Sequence, residues 1–193
     1  MIHFLLRFRQ AIFSPIQKIQ LYMQPKMIKG EHALLDLVDV LKEKHLTHYM
    51  IVTTPGFIKR GTLQSFFDAL NQKDIQYSIF HDVKPDPEIS DVEKLKEMYI
   101  KDGCQALIAI GGGSVIDCSK AALACVQMKK LDVTTVLHTG RVSKPLPLLI
   151  AVPTTAGTGS EVTAGAVITD PIKKRKYALS HLFLIPKYAV LDS

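Results

Sequence analysis

Two segments of this 193-residue chain carry residue types that bind anions through the backbone. Gly111, Gly112, Gly113 and Ser114 stand between a wholly apolar run, residues 106–110 (ALIAI), and a stretch of helical character, residues 114–128 (SVIDCSKAALACVQM). Glycines let a backbone turn tightly and approach a phosphate, and a helix start adds unpaired N–H groups and the positive end of its dipole. A dinucleotide diphosphate fits such a turn. The string GGGSVID lacks the last glycine of G-x-G-x-x-G, so it is not the Rossmann fingerprint, and without a G-K-[ST] ending it is not a nucleoside-triphosphate P-loop. Taken alone, the same glycines serve equally well as a structural strand-to-helix turn.

The second segment, residues 153–161 (PTTAGTGSE), follows another buried run, 146–152 (LPLLIAV), and supplies several hydroxyls and flexible backbone donors. Ligands of open α/β sheets bind beyond the carboxyl ends of the strands, so two loops that each follow a strand are placed to share one ligand. A polar surface loop kept for solvation has the same composition. Metal chemistry has weaker support. His45 and His48 have the i, i+3 spacing of ligands but no matched third, and Cys104, Cys118 and Cys125 form no C-x-x-C pattern. Three thiols cannot pair completely, so they suit a reducing compartment, the cytoplasm, as small buried hydrophobes.

The elements that must position these loops alternate in type. Residues 31–44 place Leu34, Leu37, Val38 and Leu41 at amphipathic helix spacing, 49–54 (YMIVTT) is a β-branched run, and 61–72 returns to helical spacing. A strand over 76–83, a helix over 89–101 and the strand 106–110 follow; after the strand 146–152, shorter strands are expected over 162–169, 177–183 and 188–191. Strands alternating with helices at this spacing predict an α/β fold, a parallel sheet covered by helices on both faces.

With 47% hydrophobic and 22% charged residues the composition is that of a folded globular domain. The formal charge of +6 comes from scattered lysines and arginines rather than a stripe, which argues against a nucleic-acid partner and for an anionic small molecule. Residues 1–29 read as a basic amphipathic arm, with Arg7 and Arg9 breaking an apolar run and no cleavage site of a secretory signal. Packing on the domain or on a second subunit is favoured for it over contact with a membrane surface.

Three strings in this order, KPDPEI (84–89), GGGSVIDCSKA (111–121) and PTTAGTGSEVT (153–163), followed by VITD and the basic KKRK, resemble the iron-containing, or group III, alcohol dehydrogenases. The resemblance covers residues 30–193, corresponding to about the first half of the family's chain. It implies a Rossmann-like, dehydroquinate synthase-like nucleotide domain that binds NAD, with NADP as second choice. It also implies that Gly112, Gly113, Ser114 and Asp117 hold the dinucleotide phosphates and that Thr154, Thr155, Thr158 and Thr163 line the nicotinamide side. Lys176 matches a lysine that approaches the cofactor; as part of KKRK it reads otherwise as a solvated turn. Asp86 replaces the asparagine of the family's K-P-N-P-like segment. Thr54 stands where an acidic residue would hold the adenosine ribose, which relaxes discrimination against a 2′-phosphate.

In that family the iron or zinc is held by an aspartate and three histidines of a helical domain that follows the segment resembling residues 188–192. The expectation is that this domain is absent, that Asp192 is not its aspartate, and that the chain binds a nicotinamide dinucleotide but acts on an alcohol or aldehyde only with such a domain. Exposed apolar surface and self-association are expected of the isolated chain. A non-enzymatic nucleotide-binding or interaction module is the alternative; glycerol dehydrogenase and dehydroquinate synthase are disfavoured because PTTAGTGSEVT has the alcohol dehydrogenase form.

Overall fold

A computed structural model describes residues 24–129 and 131–192. In chain order it contains β1 (Lys26–Gly30), α1 (Ala33–Glu43), β2 (His48–Val52), α2 (Pro55–Lys59), α3 (Gln64–Gln72), β3 (Gln76–Phe80), α4 (Ile89–Lys101), β4 (Ala106–Gly111) and α5 (Gly113–Gln127). There follow α6 (Val133–Thr139), β5 (Leu148–Pro153), β6 (Gly165–Asp170), β7 (Arg175–Ser180), a 3-10 turn at Leu182–Leu184 and β8 (Tyr188–Asp192). Six strands form one parallel sheet in the order β1-β8-β5-β4-β2-β3, while β6 and β7 pair antiparallel as a separate hairpin.

Period-two alternation assigns the strand residues to two cores. Tyr49, Ile51, Ile108 and Ile110 face α1 and α3, burying Leu37, Leu41, Phe66 and Leu70. Met50, Val52, Leu107 and Ala109 face the other way, onto α4, α5 and α6. The sheet is thus covered on both faces, as the alternation of elements predicts. All six residues of β4 are buried, which explains why that run carries no polar residue.

The chain passes outward from β2 to β3, then returns to lay β4 on the other flank of β2. That reversal is a topological switch point, and the crevice beyond the carboxyl ends of the two strands that flank it is where such sheets bind ligands.

Several boundaries differ from expectation. Residues 26–29, expected in the arm, belong instead with Gly30 to β1, paired in parallel with β8 from Lys26↔Tyr188 to Gly30↔Asp192. The remainder of the expected arm, up to residue 23, lies outside the described residues. The helix expected over 61–72 begins only at Gln64, as α3, and an unexpected short helix, α2, precedes it and ends where Gly61 takes φ +65° and its N–H bonds back to the Ile58 carbonyl. The strand expected over 162–169 begins only at Gly165, and the one expected over 177–183 runs from Arg175 to Ser180. Beyond it the His181 ring accepts the Phe183 N–H at 3.2 Å and turns the chain. Helix α6 went unread; Asp132 caps it, accepting the Thr135 N–H at 2.8 Å, and Gly140 ends it at φ +63°. Among the described residues no helix is long and apolar enough to cross a membrane.

Candidate functional site

The two loops leave the sheet side by side. Gly111 and Pro153 are register partners at the ends of β4 and β5, and the Thr154 N–H donates to the Gly111 carbonyl at 3.1 Å. From that bond the loop after β5 folds over the loop after β4. A Cβ added at Gly112 would stand 3.1 Å from Thr155 Oγ1, and one at Gly113 would stand 3.3 Å from Ser160 Oγ and 3.4 Å from the Thr158 Cβ. The space a side chain would need is the space between bare backbone and hydroxyls.

Gly112 caps α5 in an extended conformation, φ −73° and ψ −175°, its carbonyl accepting from Val115 at 3.0 Å and Ile116 at 3.2 Å. The N–H groups of Gly113 and Ser114 therefore open the helix without intrahelical acceptors and aim out of its amino end. Thr54 emerges from β2, the neighbour of β4, two residues beyond the Val52↔Ala109 pair, and so level with Gly111. It is half-buried and extended, φ −113° and ψ 157°, at the start of α2.

The other expected residues are placed differently. Asp117 lies one turn along α5, where its Oδ2 accepts the Val167 N–H of β6 at 3.0 Å. Burial raises its carboxyl pKa, opposed by that N–H, by Lys120 and by Ser160. Asp117 thus fastens the hairpin to the helix, and as an anion it would repel a diphosphate rather than attract one. Asp86 and Lys176 are brought to each other: Asp86 sits at φ +55°, and its Oδ1 accepts from Lys176 Nζ at 2.7 Å. Both side chains are more than half exposed, so the pair adds under about 1 kcal/mol.

Thr163 reveals a residue that the sequence reading passed over. Its carbonyl and hydroxyl accept from Lys120 Nζ at 2.7 and 3.3 Å, and the Gly165 carbonyl accepts from the same ammonium at 2.9 Å. Lys120 is fully buried. Burial lowers its pKa to about 8, while the Asp117 and Glu161 carboxylates pull it back up. The signal was a lysine i+3 from Asp117 on an otherwise apolar helix.

Elsewhere, an open concavity of about 630 Å³ lined by His48, Asn71, Asp74 and Gln76 lies at the amino ends of β2 and β3, the end opposite the glycine loop. His48 is used there in a 3.0 Å contact with Ser78 Oγ, and strand ends of this polarity are not where parallel sheets bind ligands.

The sequence model of the iron-containing alcohol dehydrogenases matches residues 24–193. The chain belongs to that family. Among its relatives, a choline dehydrogenase of Bacillus subtilis is 31% identical over 180 residues, covering 92% of this chain and 45% of that protein. Alcohol dehydrogenase 4 of Schizosaccharomyces pombe is 34% identical over 165 residues, 84% of this chain and 38% of its own length. In structure, the sulfoacetaldehyde reductase of Bifidobacterium kashiwanohense, solved in complex with NAD+, superposes with a TM-score of 0.77 at 31% identity over 88% of this chain and 45% of that one. The chain therefore spans less than half the length of these relatives. What it shares with the iron-containing alcohol dehydrogenases is the Rossmann-like parallel sheet.

Proposed function

We propose that this chain binds a nicotinamide dinucleotide, NAD in first place, along the crevice at the carboxyl ends of β2, β4 and β5, as the cofactor-holding part of an alcohol dehydrogenase. The observation that carries the reading is the seating of Thr155 and Thr158 over the side-chain-free Gly112 and Gly113 at the start of α5. Two successive glycines there admit a diphosphate to the backbone N–H groups, and opposed hydroxyls supply hydrogen-bonding partners to its neutral portions. Gly112, Gly113 and Ser114 would hold the diphosphate, Thr154, Thr155 and Thr158 would line the nicotinamide side, and Thr54 would face the adenosine ribose. Lys176 would reach the cofactor by leaving Asp86. When bound, the dinucleotide supplies a hydride acceptor, and this chain's task is to orient it. The relative solved with NAD+ supports the choice of cofactor. Three free, buried thiols, Cys104, Cys118 and Cys125, support a reducing, cytoplasmic setting.

Titrating the 193-residue chain with NADH by fluorescence and with ADP-ribose by calorimetry tests the reading. Saturable binding of both supports it, and binding of neither in the millimolar range sinks it. For the ribose end, Thr54→Asp is expected to shift preference toward NAD over NADP by about tenfold, because a carboxylate there repels the 2′-phosphate. An unchanged ratio of the two affinities would place the adenosine elsewhere.

Among the described residues no three of His, Cys, Asp and Glu converge to hold a metal ion. Interconversion of alcohol and aldehyde is proposed for an architecture that adds those ligands. The 193-residue chain supplied with NAD, iron or zinc and a panel of primary alcohols is expected to bind cofactor without producing NADH. Metal-dependent absorbance growth that disappears on mutating His45 or His48 would contradict this.

A further inference from the structure

The helix whose start forms the glycine cradle also carries the side chain that fastens the far end of the threonine loop. Lys120 lies two turns into α5, its stem buried in the core and its Nζ donating to the Thr163 carbonyl, the Thr163 hydroxyl and the Gly165 carbonyl. Three acceptors match the three N–H bonds of an ammonium, a condition that helps a buried lysine keep its charge. One turn nearer the cradle, Asp117 takes the Val167 N–H of β6. The loop over residues 153–163 is therefore held at both ends: at its start by the Thr154–Gly111 hydrogen bond beside the cradle, and at its exit by Lys120.

We infer that Lys120 is a positioning residue for the nicotinamide end of the dinucleotide: its ammonium clamps the exit of the threonine loop onto α5, so that Thr155 and Thr158 keep their place over Gly112 and Gly113. The inference rests on the dinucleotide reading above. Lys120 acts through Thr163 and Gly165 rather than on the ligand. The diphosphate cradle, built from the start of α5 itself, does not depend on it. Charged groups facing the ammonium are Asp117 from its own helix and Glu161 from the loop. Asp117 Oδ1 and Glu161 Oε2 are both buried without hydrogen-bond partners. Loss of the lysine's proton replaces charge-assisted hydrogen bonds by weaker neutral ones and removes the positive charge those carboxylates face.

The experiment compares NADH with ADP-ribose, which shares the diphosphate and lacks the nicotinamide. In the 193-residue chain, Lys120→Met keeps the stem and removes the ammonium; it is expected to weaken NADH binding about tenfold while ADP-ribose affinity stays within about twofold. In the parent chain, the ratio of NADH to ADP-ribose affinity is expected to fall several-fold as pH rises from about 7 to about 9.5, and to stay flat in Lys120→Met. Equal weakening of both ligands, or of neither, overturns the inference. If Lys120→Met does not fold, the parent's pH profile decides alone, and a flat ratio overturns it. A parent chain that binds neither ligand is a different result, seen before any variant is made, and overturns the dinucleotide reading together with this one.

Discussion

Replacing Gly113 with aspartate is expected to abolish measurable NADH binding while leaving the chain folded. The new Cβ would stand 3.3 Å from Ser160 Oγ and 3.4 Å from the Thr158 Cβ, close contacts that a shift of a few tenths of an ångström in the loop relieves. A carboxylate in the first turn also favours the helix, by about 0.3–1 kcal/mol. Folding should therefore survive, and circular dichroism and thermal melting should show it. Binding should not survive. The carboxylate competes for the free N–H groups at the start of α5 and repels an incoming diphosphate; at about 4 Å two unit charges interact by about 4 kcal/mol at the effective dielectric of a protein surface. Even half of that against a diphosphate removes more than an order of magnitude of affinity, and loss of the N–H contacts removes more. Gly113→Ala, which adds the Cβ without the charge, should lose only a few-fold. NADH affinity in Gly113→Asp equal to the parent's would place the diphosphate somewhere other than the glycine turn.

The largest stability effect is expected one step earlier in the chain. At Gly111 an added Cβ would lie 2.5 Å from the Val115 Cγ2 and 2.8 Å from its Cβ, distances that real side chains do not occupy. Val115 is itself 1% exposed and β-branched, so it has no room to rotate aside. Gly111→Ala must therefore move the start of α5 away from β4, at a cost of about 1–3 kcal/mol from overpacking. Because the helix start is also the cradle, NADH affinity should drop with stability. Val115→Ala alone costs stability through a cavity, but in the background of Gly111→Ala it removes the nearest contact, the 2.5 Å approach to Cγ2, and leaves only the 2.8 Å approach to Cβ. The double variant should be more stable than additivity of the two singles predicts, by more than about 1 kcal/mol in urea denaturation. Strict additivity would mean that the clash is absorbed elsewhere and that Gly111 is dispensable to the turn.

Residues whose structural task is local were legible in the sequence. The strand β4 reads as a strand because both of its faces are covered and every side chain is apolar, and the glycines after it announce a turn because only they tolerate such close contacts. The strand β1 is different. Its five residues, KMIKG, set a lysine on either side of an exposed methionine and a half-buried isoleucine at the sheet's edge, and only pairing with β8 makes them a strand. The same division runs through the site. Gly112, Gly113 and Ser114 were read from the freedom of their own backbone as a strand-to-helix turn, and they stand at the start of α5. Lys120 was missed because its meaning depends on the β6 strand and the loop before it packing over α5, contacts more than forty residues away. Asp86 and Lys176 were each named, but their pairing across 90 residues is not encoded in either neighbourhood.

The placement of β8 between β5 and β1 has a consequence for the order in which the protein can form. During synthesis, residues 26–30 emerge first among the strands, yet their partner in the sheet is the last segment described, Tyr188–Asp192. The edge they present stays unpaired until nearly the whole domain has been made. Closing such long-range parallel pairs is slow, since the entropy of a large loop must be overcome before the ladder returns any of it. A nascent chain arrested before residue 188 would carry two open strand edges, on β5 and on β1, each a template for the wrong neighbour. The lysines on either side of Met27 and Ile28 in β1, Lys26 and Lys29, then do a second job, keeping the waiting edge charged and soluble until β8 arrives.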